Sequence, residues 1–225
     1  MKKRLFLSTI VSFLLFLPSL AQDTRLGIKA GANVSNVNNT VYMYVNKSKI
    51  GYHGGVMAHI TIAKHLAIQP ELLYSLAGDE AEIYDRHPDF VSGRLKTHLH
   101  YITLPLAMKY YPYKGLNLQF GFQPGLLIQA KEKGEAGGSM RWTPRNQDVT
   151  KYYNRFDAAL LAGLGLDFKS GLTFDTRLLY SITDMYKPDA GLDVIRDRTY
   201  ELRNEESKPV RNIVLQFSAG YIFNK

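Results

Sequence analysis

Residues 116–130 of the chain, LNLQFGFQPGLLIQA, decide the fold because their side chains alternate between two chemistries. Every second residue from Leu116 onward is apolar, and the residues between them are amides and glycines with one leucine. A period of two is typical of a β-strand, in which successive side chains point to opposite faces. Ordinary strands have about 5–6 residues, whereas about 9–11 tilted residues cross a bilayer. The stretch therefore predicts a membrane-spanning strand.

The same alternation recurs in seven other segments, and the connectors between them alternate between long polar loops and tight turns. This loop pattern is typical of outer-membrane barrels, which have short periplasmic turns and longer external loops. The sequence therefore predicts an all-β fold, an eight-stranded antiparallel up-and-down transmembrane β-barrel. A soluble eight-stranded barrel with an apolar interior for a ligand is the alternative. The predicted strands are residues 25–34, 50–63, 66–76, 98–111, 116–130, 156–168, 172–182 and 211–223.

The first 21 residues, MKKRLFLSTIVSFLLFLPSLA, predict a secretory signal peptide. Three basic residues precede an apolar run that is shorter than the roughly 20 residues of a transmembrane helix, and small residues follow it. We therefore expect a signal peptide at residues 1–21 and one outer-membrane β-barrel domain at residues 22–225. Both termini of the mature chain are expected in the periplasm, because both lie on the side of the short turns.

The composition narrows the classes of function. The chain has 28 lysines and arginines against 20 aspartates and glutamates, a formal net charge of +8, and no cysteine. Without cysteine there are no disulfides and no thiolate metal sites. The basic excess does not predict binding to nucleic acid, because the chain is expected to be exported and has no basic cluster beyond the signal peptide.

The polar faces of the strands are expected to fill the interior, since eight strands leave room only for side chains. Buried charges must then pair, because an unpaired buried charge is very costly. Arg177 is expected to pair with Asp175 or Asp157, which share its parity, or with Glu71 across the lumen. The sequence therefore predicts a plug rather than a pore. The expected structural network comprises Lys29, Glu71, Lys109, Asp157, Asp167, Asp175 and Arg177.

The tight turn at residues 169–171 also sets an expected register. If Phe168 pairs with Leu172, then Gly163 lies opposite Arg177 and Gly165 lies opposite Asp175. Small residues would then lie beside large polar ones in a crowded lumen, which is how such pairs fit together.

Histidines at the end of the fourth predicted strand raise the question of catalysis. His98 and His100 are near Glu82, Asp89 and Ser92 in sequence, and a His–Ser–acid set could serve a lipid hydrolase or acyltransferase. No G-x-S-x-G or other nucleophile signature accompanies them. We therefore expect no catalytic residue, and we keep the hydrolase as an alternative.

Metal and cofactor sites are not expected either. His53 and His59 share the lumen face but lie about 20 Å apart along a strand, so they are expected to belong to the polar plug. Asp184, Asp189 and Asp193 lack the spacing of a calcium loop. No cofactor is predicted.

Several stretches resemble the PorT family of outer-membrane β-barrels. They are LGIKAGANVSNV (residues 26–37), IQPELLYS (68–75), YITLPLAMKYYP (101–112) and GLGLDFKSGLTFDTRLLYSITD (163–184). The final strand, VLQFSAGYIF (214–223), ends its apolar alternation on Tyr221 and Phe223 and resembles the signal read by the barrel-assembly machinery. The resemblance implies a barrel with no assigned activity. The family is named after a component linked to protein secretion, so an accessory role in a secretion system is an alternative.

The function predicted from these features is that of a small integral outer-membrane barrel that is not an enzyme. Its long external loops are expected to bind a partner or to serve an envelope complex. The expected partners are outer-membrane lipid and lipopolysaccharide, the barrel-assembly machinery, and envelope or secretion-complex proteins, with no nucleic acid.

Overall fold

The computed structural model describes residues 24–38, 44–84, 91–136, 143–187 and 209–223. The predicted signal peptide lies outside these ranges. Within them, eleven β-strands form one antiparallel sheet, and a short 3-10 helix spans Thr150–Tyr152. No helix in the described part of the chain is long and apolar enough to cross a membrane. The strands are β1 (Thr24–Asn38), β2 (Tyr44–Ala63), β3 (Leu66–Ala77), β4 (Asp79–Tyr84), β5 (Val91–Thr103), β6 (Leu106–Tyr113), β7 (Leu116–Ala136), β8 (Thr143–Asp148), β9 (Phe156–Asp167), β10 (Leu172–Ser181) and β11 (Arg211–Ile222).

The sheet closes into a barrel because its first and last strands pair. β1 lies antiparallel to β11 from Gly27 opposite Ile222 to Asn38 opposite Arg211, and its other edge pairs with β2. Among the described strands, ten have neighbours on both sides, whereas β8 pairs with β7 alone. The chain therefore forms a closed antiparallel barrel of ten strands with β8 as an additional strand.

The predicted count of eight strands is wrong, because three of the predicted strands or their extensions are interrupted. Gly78, with φ of 135°, separates β3 from β4, and both of these strands pair with successive parts of β2. Leu104 and Pro105 separate β5 from β6, since proline has no N–H for the ladder. Residues 149–155 separate β8 from β9, and both of these pair with successive parts of β7.

The strands also extend further on one side of the barrel than the sequence predicts. The segments expected to be loops at residues 78–97 and 131–155 contain β4, the start of β5, the end of β7 and all of β8. Their sequences are polar and charged, so they lack the apolar alternation that marks the membrane-spanning parts. Backbone pairing with neighbouring strands forms these segments without an apolar face.

The apolar faces of the strands point outward. On β7, Phe120, Phe122 and Leu126 are each more than half exposed, whereas Asn117 and Gln119 on the opposite face are fully buried. The same holds on β9, where Leu160 and Leu164 are exposed. A soluble barrel would bury these side chains in its interior, and an apolar surface of this extent marks contact with a membrane or a partner.

The turn between β9 and β10 confirms the predicted register. The N–H of Phe168 donates to the carbonyl of Leu172 over 2.8 Å, and Arg177 lies opposite Gly163. A Cβ atom at Gly163 would lie 2.6 Å from the carbonyl oxygen of Thr176 and 2.9 Å from Cγ of Arg177. Glycine at this position therefore gives the long Arg177 side chain room in the lumen.

Candidate functional site

Four charged side chains meet in the middle of the lumen, and we call Lys29, Glu71, Asp175 and Arg177 the central charge cluster. The guanidinium of Arg177 donates to both carboxylate oxygens of Glu71, over 2.9 Å and 2.6 Å. Its Nε atom lies 3.1 Å from Asp175, and Nζ of Lys29 lies 3.0 Å from Glu71 and 2.9 Å from Asp175. All four side chains are at most 2% exposed. The two positive and two negative charges cancel, which is the condition for burying them.

Two amide side chains complete the hydrogen bonding of the central charge cluster. Gln119 on β7 accepts from Nε of Arg177 over 2.8 Å, and Gln69 on β3 donates to Glu71 over 2.6 Å. Glu71 therefore accepts from a guanidinium, an ammonium and an amide, and these charge-assisted bonds are stronger than neutral ones.

Lys109 and Asp167 form a separate pair toward the short turns. The Nζ atom of Lys109 lies 3.1 Å from the carboxylate of Asp167, and the hydroxyl of Tyr111 donates to the same carboxylate over 2.6 Å. Lys109 is buried, whereas the side chain of Asp167 is 13% exposed. This pair lies near the barrel end that carries the turn after β9.

Asp157 does not join the charged network. Its carboxylate accepts hydrogen bonds from the hydroxyls of Ser181, over 3.0 Å, and Thr183, over 2.7 Å. It is six residues along β9 from Gly163, which lies opposite Arg177, and six strand residues span about 20 Å. Equal parity along a strand therefore puts Asp157 on the lumen face but too far from Arg177 to pair.

A layer of polar side chains adjoins the central charge cluster toward the long loops. His53 contacts Asn33 over 2.7 Å and Ser218 over 2.9 Å through its two ring nitrogens, and Asn33 also donates to Ser75 over 2.9 Å. Sequence reasoning placed His53 on the lumen face but did not identify these partners. The structure does not bring His53 and His59 together, because His59 lies near the short turns.

An apolar cap covers the lumen at the end of the long loops. Residues 149–155 and 183–187 fold inward over the barrel wall, where the N–H of Asn154 donates to the carbonyl of Met185 over 2.9 Å. The rings of Tyr153 and Tyr186 pack in a tilted arrangement with centroids 4.9 Å apart. Sequence reasoning assigned these segments to solvated loops and missed the cap. The apolar cap comprises Val37, Leu99, Tyr101, Leu127, Ala130, Val149, Tyr152, Tyr153, Met185 and Val210.

Asp148 fixes the start of the segment that forms the apolar cap. Its carboxylate accepts a hydrogen bond from the backbone N–H of Thr150 over 2.9 Å and another from the side chain of Gln129 over 3.1 Å. Hydrogen bonds from the side chain and then the backbone of Thr150 hold the pKa of Asp148 below its ordinary value. The carboxylate therefore remains charged down to acidic pH.

The His–Ser–acid set considered as an alternative lies only partly within the described residues. His98 and His100 lie on the outer face of β5, and Nδ1 of His100 is hydrogen-bonded to the hydroxyl of Tyr74. Asp89, and the side chains of Glu82 and Ser92, lie outside the described residues, as do Asp189 and Asp193. Asp184 accepts from the N–H of Tyr186 over 3.2 Å. Within the described ranges, no group of three or more His, Asp or Glu side chains is arranged to hold a metal ion.

Tyr221 and Phe223 lie on the outer face at the end of the last strand. Their rings meet edge to face with centroids 5.6 Å apart, and both are partly exposed. The N–H of Phe223 donates to the carbonyl of Leu26 over 2.8 Å, which ties this end of the chain to β1.

Comparisons with known proteins find a family match and several distantly similar structures. The family model described as outer membrane protein beta-barrel domain matches residues 20–187. No curated protein matches the sequence. Solved structures that resemble the chain include Ail, the attachment invasion locus protein of Yersinia pestis, at 13% identity and a TM-score of 0.46, covering 90% of this chain and all of Ail.

Two further solved structures are comparably distant. Neisserial surface protein A is 12% identical with a TM-score of 0.47, covering 90% of this chain and all of that protein. OprG from Pseudomonas aeruginosa is 12% identical with a TM-score of 0.41, covering 91% and 98%. The family match spans well over half of the sequence. This outer-membrane β-barrel chain therefore belongs to the outer membrane protein beta-barrel domain family.

Proposed function

We propose that this protein is a non-enzymatic, non-conducting outer-membrane barrel that presents a binding surface outside the cell. The observation that carries the proposal is that the lumen is obstructed in successive layers. The central charge cluster fills its middle, and the apolar cap covers the end of the long loops. We propose that a barrel obstructed in this way anchors the protein and displays its external surface, and does not conduct solutes.

The external sheet is the surface that we propose for binding. It consists of β4, β8 and the parts of β2, β5 and β7 that pair with them. One row across this sheet places Lys47 opposite Glu80, Glu80 opposite Lys96, and Lys96 opposite Lys133. Lys96 forms a partly exposed ion pair with Glu80 over 3.2 Å. We propose lipopolysaccharide as a partner of this sheet.

The remaining parts of the proposal concern orientation and assembly. With the external sheet outside the cell, the described chain ends at Thr24 and Phe223 lie at the periplasmic end. Tyr221 and Phe223 are proposed as the signal for the barrel-assembly machinery. We also propose that the chain is related to the PorT family and that its partners include envelope or secretion-complex proteins. No secretion activity is assigned to it.

Cysteine labelling on intact cells tests whether the external sheet lies outside the cell. The natural chain has no cysteine, so single substitutions give clean probes. Asn146→Cys in β8 should react with a membrane-impermeant maleimide on intact cells, because Asn146 is exposed on the external sheet. Lys114→Cys, in the short turn between β6 and β7, should react only after the outer membrane is permeabilised. The reverse pattern would contradict the proposed orientation and would place the external sheet in the periplasm.

Lipid A analysis tests the absence of enzymatic activity. A strain that carries His98→Ala with His100→Ala should make lipid A of the same mass as the wild type, because we propose that both imidazoles are interfacial side chains. A Tyr74→Phe strain is the matched control, since it removes the hydroxyl partner of His100 and keeps both histidines. A changed acyl pattern in the histidine double mutant alone would overturn the non-enzymatic assignment.

A further inference from the structure

A cavity of about 290 Å³ opens at the short-turn end of the barrel, opposite the apolar cap. Its wall includes residues of β1, β2 and β6 and of the turns that follow β2 and β9. We call this cavity the short-turn pocket. Its volume is close to the lower limit of typical ligand sites, which hold roughly 300–1,000 Å³, so a ligand of this pocket is small. The side chains used below are those of Arg25, His59, Lys64, Tyr111, Asp167 and Lys169.

The charge of the short-turn pocket is positive. Among its described lining residues, Arg25, Lys64 and Lys169 are cationic and Asp167 is the carboxylate. Asp167 is held by Lys109 over 3.1 Å and by the hydroxyl of Tyr111 over 2.6 Å, so a cation behind the wall offsets its charge. The pocket therefore attracts anions.

His59 is the second observation that points to a ligand. It is 4% exposed, lines the short-turn pocket, and its Nδ1 atom makes no hydrogen bond to any described residue. The ring of Tyr111 lies edge-on to the imidazole at 6.3 Å and supplies no polar atom to Nδ1 at that geometry. A buried polar atom without a hydrogen bond costs stability, so such atoms in folded proteins usually meet water or a ligand.

We propose that the short-turn pocket binds the phosphate group of a small phosphomonoester. A phosphate monoester carries a charge between about −1.5 and −2 at neutral pH and three acceptor oxygens. It can therefore accept from several donors of the pocket at once, whereas a ligand with one carboxylate has only two oxygens and a charge of −1. Lys64 and Lys169 supply point charges, Arg25 supplies a guanidinium, and His59 supplies a buried ring nitrogen without a described hydrogen-bond partner.

The phosphate group has two sources at this location. One is a soluble phosphomonoester, and the other is the headgroup of a lipid such as phosphatidic acid in the leaflet next to the short turns. The inference rests on the proposed function only for the statement that the pocket faces the periplasm. Binding measured in micelles does not depend on orientation or conductance, so its failure is distinguishable from a failure of the proposed function.

Calorimetry in nonionic detergent micelles tests the proposal with glycerol 3-phosphate and with micelles doped with phosphatidic acid. Lys64→Gln with Lys169→Gln should weaken binding roughly tenfold, the effect of removing two partly solvated charges. Lys114→Gln is the matched control, because this exposed lysine lies in a short turn but does not line the pocket. Equal affinity for the wild type and the double variant would overturn the proposal.

Histidine ring resonances separate a built site from general attraction to lysines. Added ligand should shift the imidazole nitrogen signals of His59 and leave those of exposed His65, which contacts the carbonyl of Tyr111 over 3.0 Å, nearly unchanged. A His59 shift with glycerol 3-phosphate assigns a soluble ligand, and a shift with phosphatidic acid alone assigns a lipid headgroup. If neither ligand shifts His59, or if both histidines shift equally, the proposal is wrong. Heat-modifiable migration on a detergent gel verifies that each variant is folded.

Discussion

Arg177 shows how a fully buried charge is held inside the barrel. Its guanidinium contacts the carboxylates of Glu71 and Asp175 and the amide oxygen of Gln119. Removing such a side chain leaves its partners buried with a net negative charge, because Lys29 alone then faces two carboxylates. The loss of one partner from a buried pair typically costs about 3–5 kcal/mol. An exposed pair contributes about 0–1 kcal/mol, because water screens both charges.

Two substitutions compare these situations within the same protein. Arg177→Ala should lower the free energy of unfolding by about 3–5 kcal/mol, whereas Lys96→Ala, which removes the partly exposed partner of Glu80, should change it by no more than about 1 kcal/mol. Urea titrations of protein folded into lipid vesicles measure both. Similar small effects for the two variants would mean that the central charge cluster contributes little to stability.

For single residues, the sequence predicts which face of a strand a side chain lies on, but it does not predict which side chain it contacts across the barrel. Alternation along each strand places Lys29, Glu71 and Arg177 on the lumen side, since parity is a local property. Which carboxylate meets Arg177 depends on the stagger of β3 against β10 across the barrel, which no local pattern encodes. Asp157 was a candidate for that reason, and the structure places it about 20 Å along β9 from the site.

At the scale of strands, β7 and β9 show that the outer and inner faces meet different surroundings. Leu118 lies opposite Leu164 on the outer face, and Gln123 on β7 is buried in the lumen. Outward residues meet lipid, where a charge near the bilayer midplane is expensive. Inward residues meet other side chains, where an apolar replacement keeps the space filled.

A pair of strand substitutions tests this division. Leu164→Arg should cost about 2–4 kcal/mol of folding free energy in lipid bilayers, and Leu118→Arg should behave alike. Gln123→Leu should cost less, because Oε1 of Gln123 makes no hydrogen bond to the described residues and therefore loses none. Folding titrations into vesicles give the ranking. A larger effect at Gln123 than at Leu164 would mean that the barrel is inside out.

Strand interruptions are the part of the architecture that alternation does not predict. The apolar alternation of residues 66–76 ends before the break at Gly78. The alternation of residues 98–111 continues across Leu104 and Pro105 with the same parity on both sides, so it does not reveal that break. Gly78 and Pro105 were visible as residue types that weaken a ladder. Whether such a residue divides a strand depends on the neighbouring strand. β2 continues past Gly78 and pairs with both β3 and β4, and β7 continues past Pro105 and pairs with both β5 and β6.

At the scale of the whole molecule, the barrel is a closed wall whose interior holds the central charge cluster and the apolar cap. Long-range alternation and loop lengths predict the wall, because both are repeated along the sequence. The apolar cap was not predicted, since Tyr152, Tyr153 and Met185 lie in polar loops without a periodic apolar pattern. They form a cluster only when the loops fold back over the barrel end.

Single-molecule conductance in planar bilayers tests the closed lumen most directly. The wild-type protein, inserted at low density, should give no steady ion-sized conductance, because the central charge cluster and the apolar cap block the same path. Arg177→Ala should also remain silent, since the apolar cap is built from other residues. Steady, stepwise conductance from single insertions of the wild-type protein would contradict the account and would favour a pore.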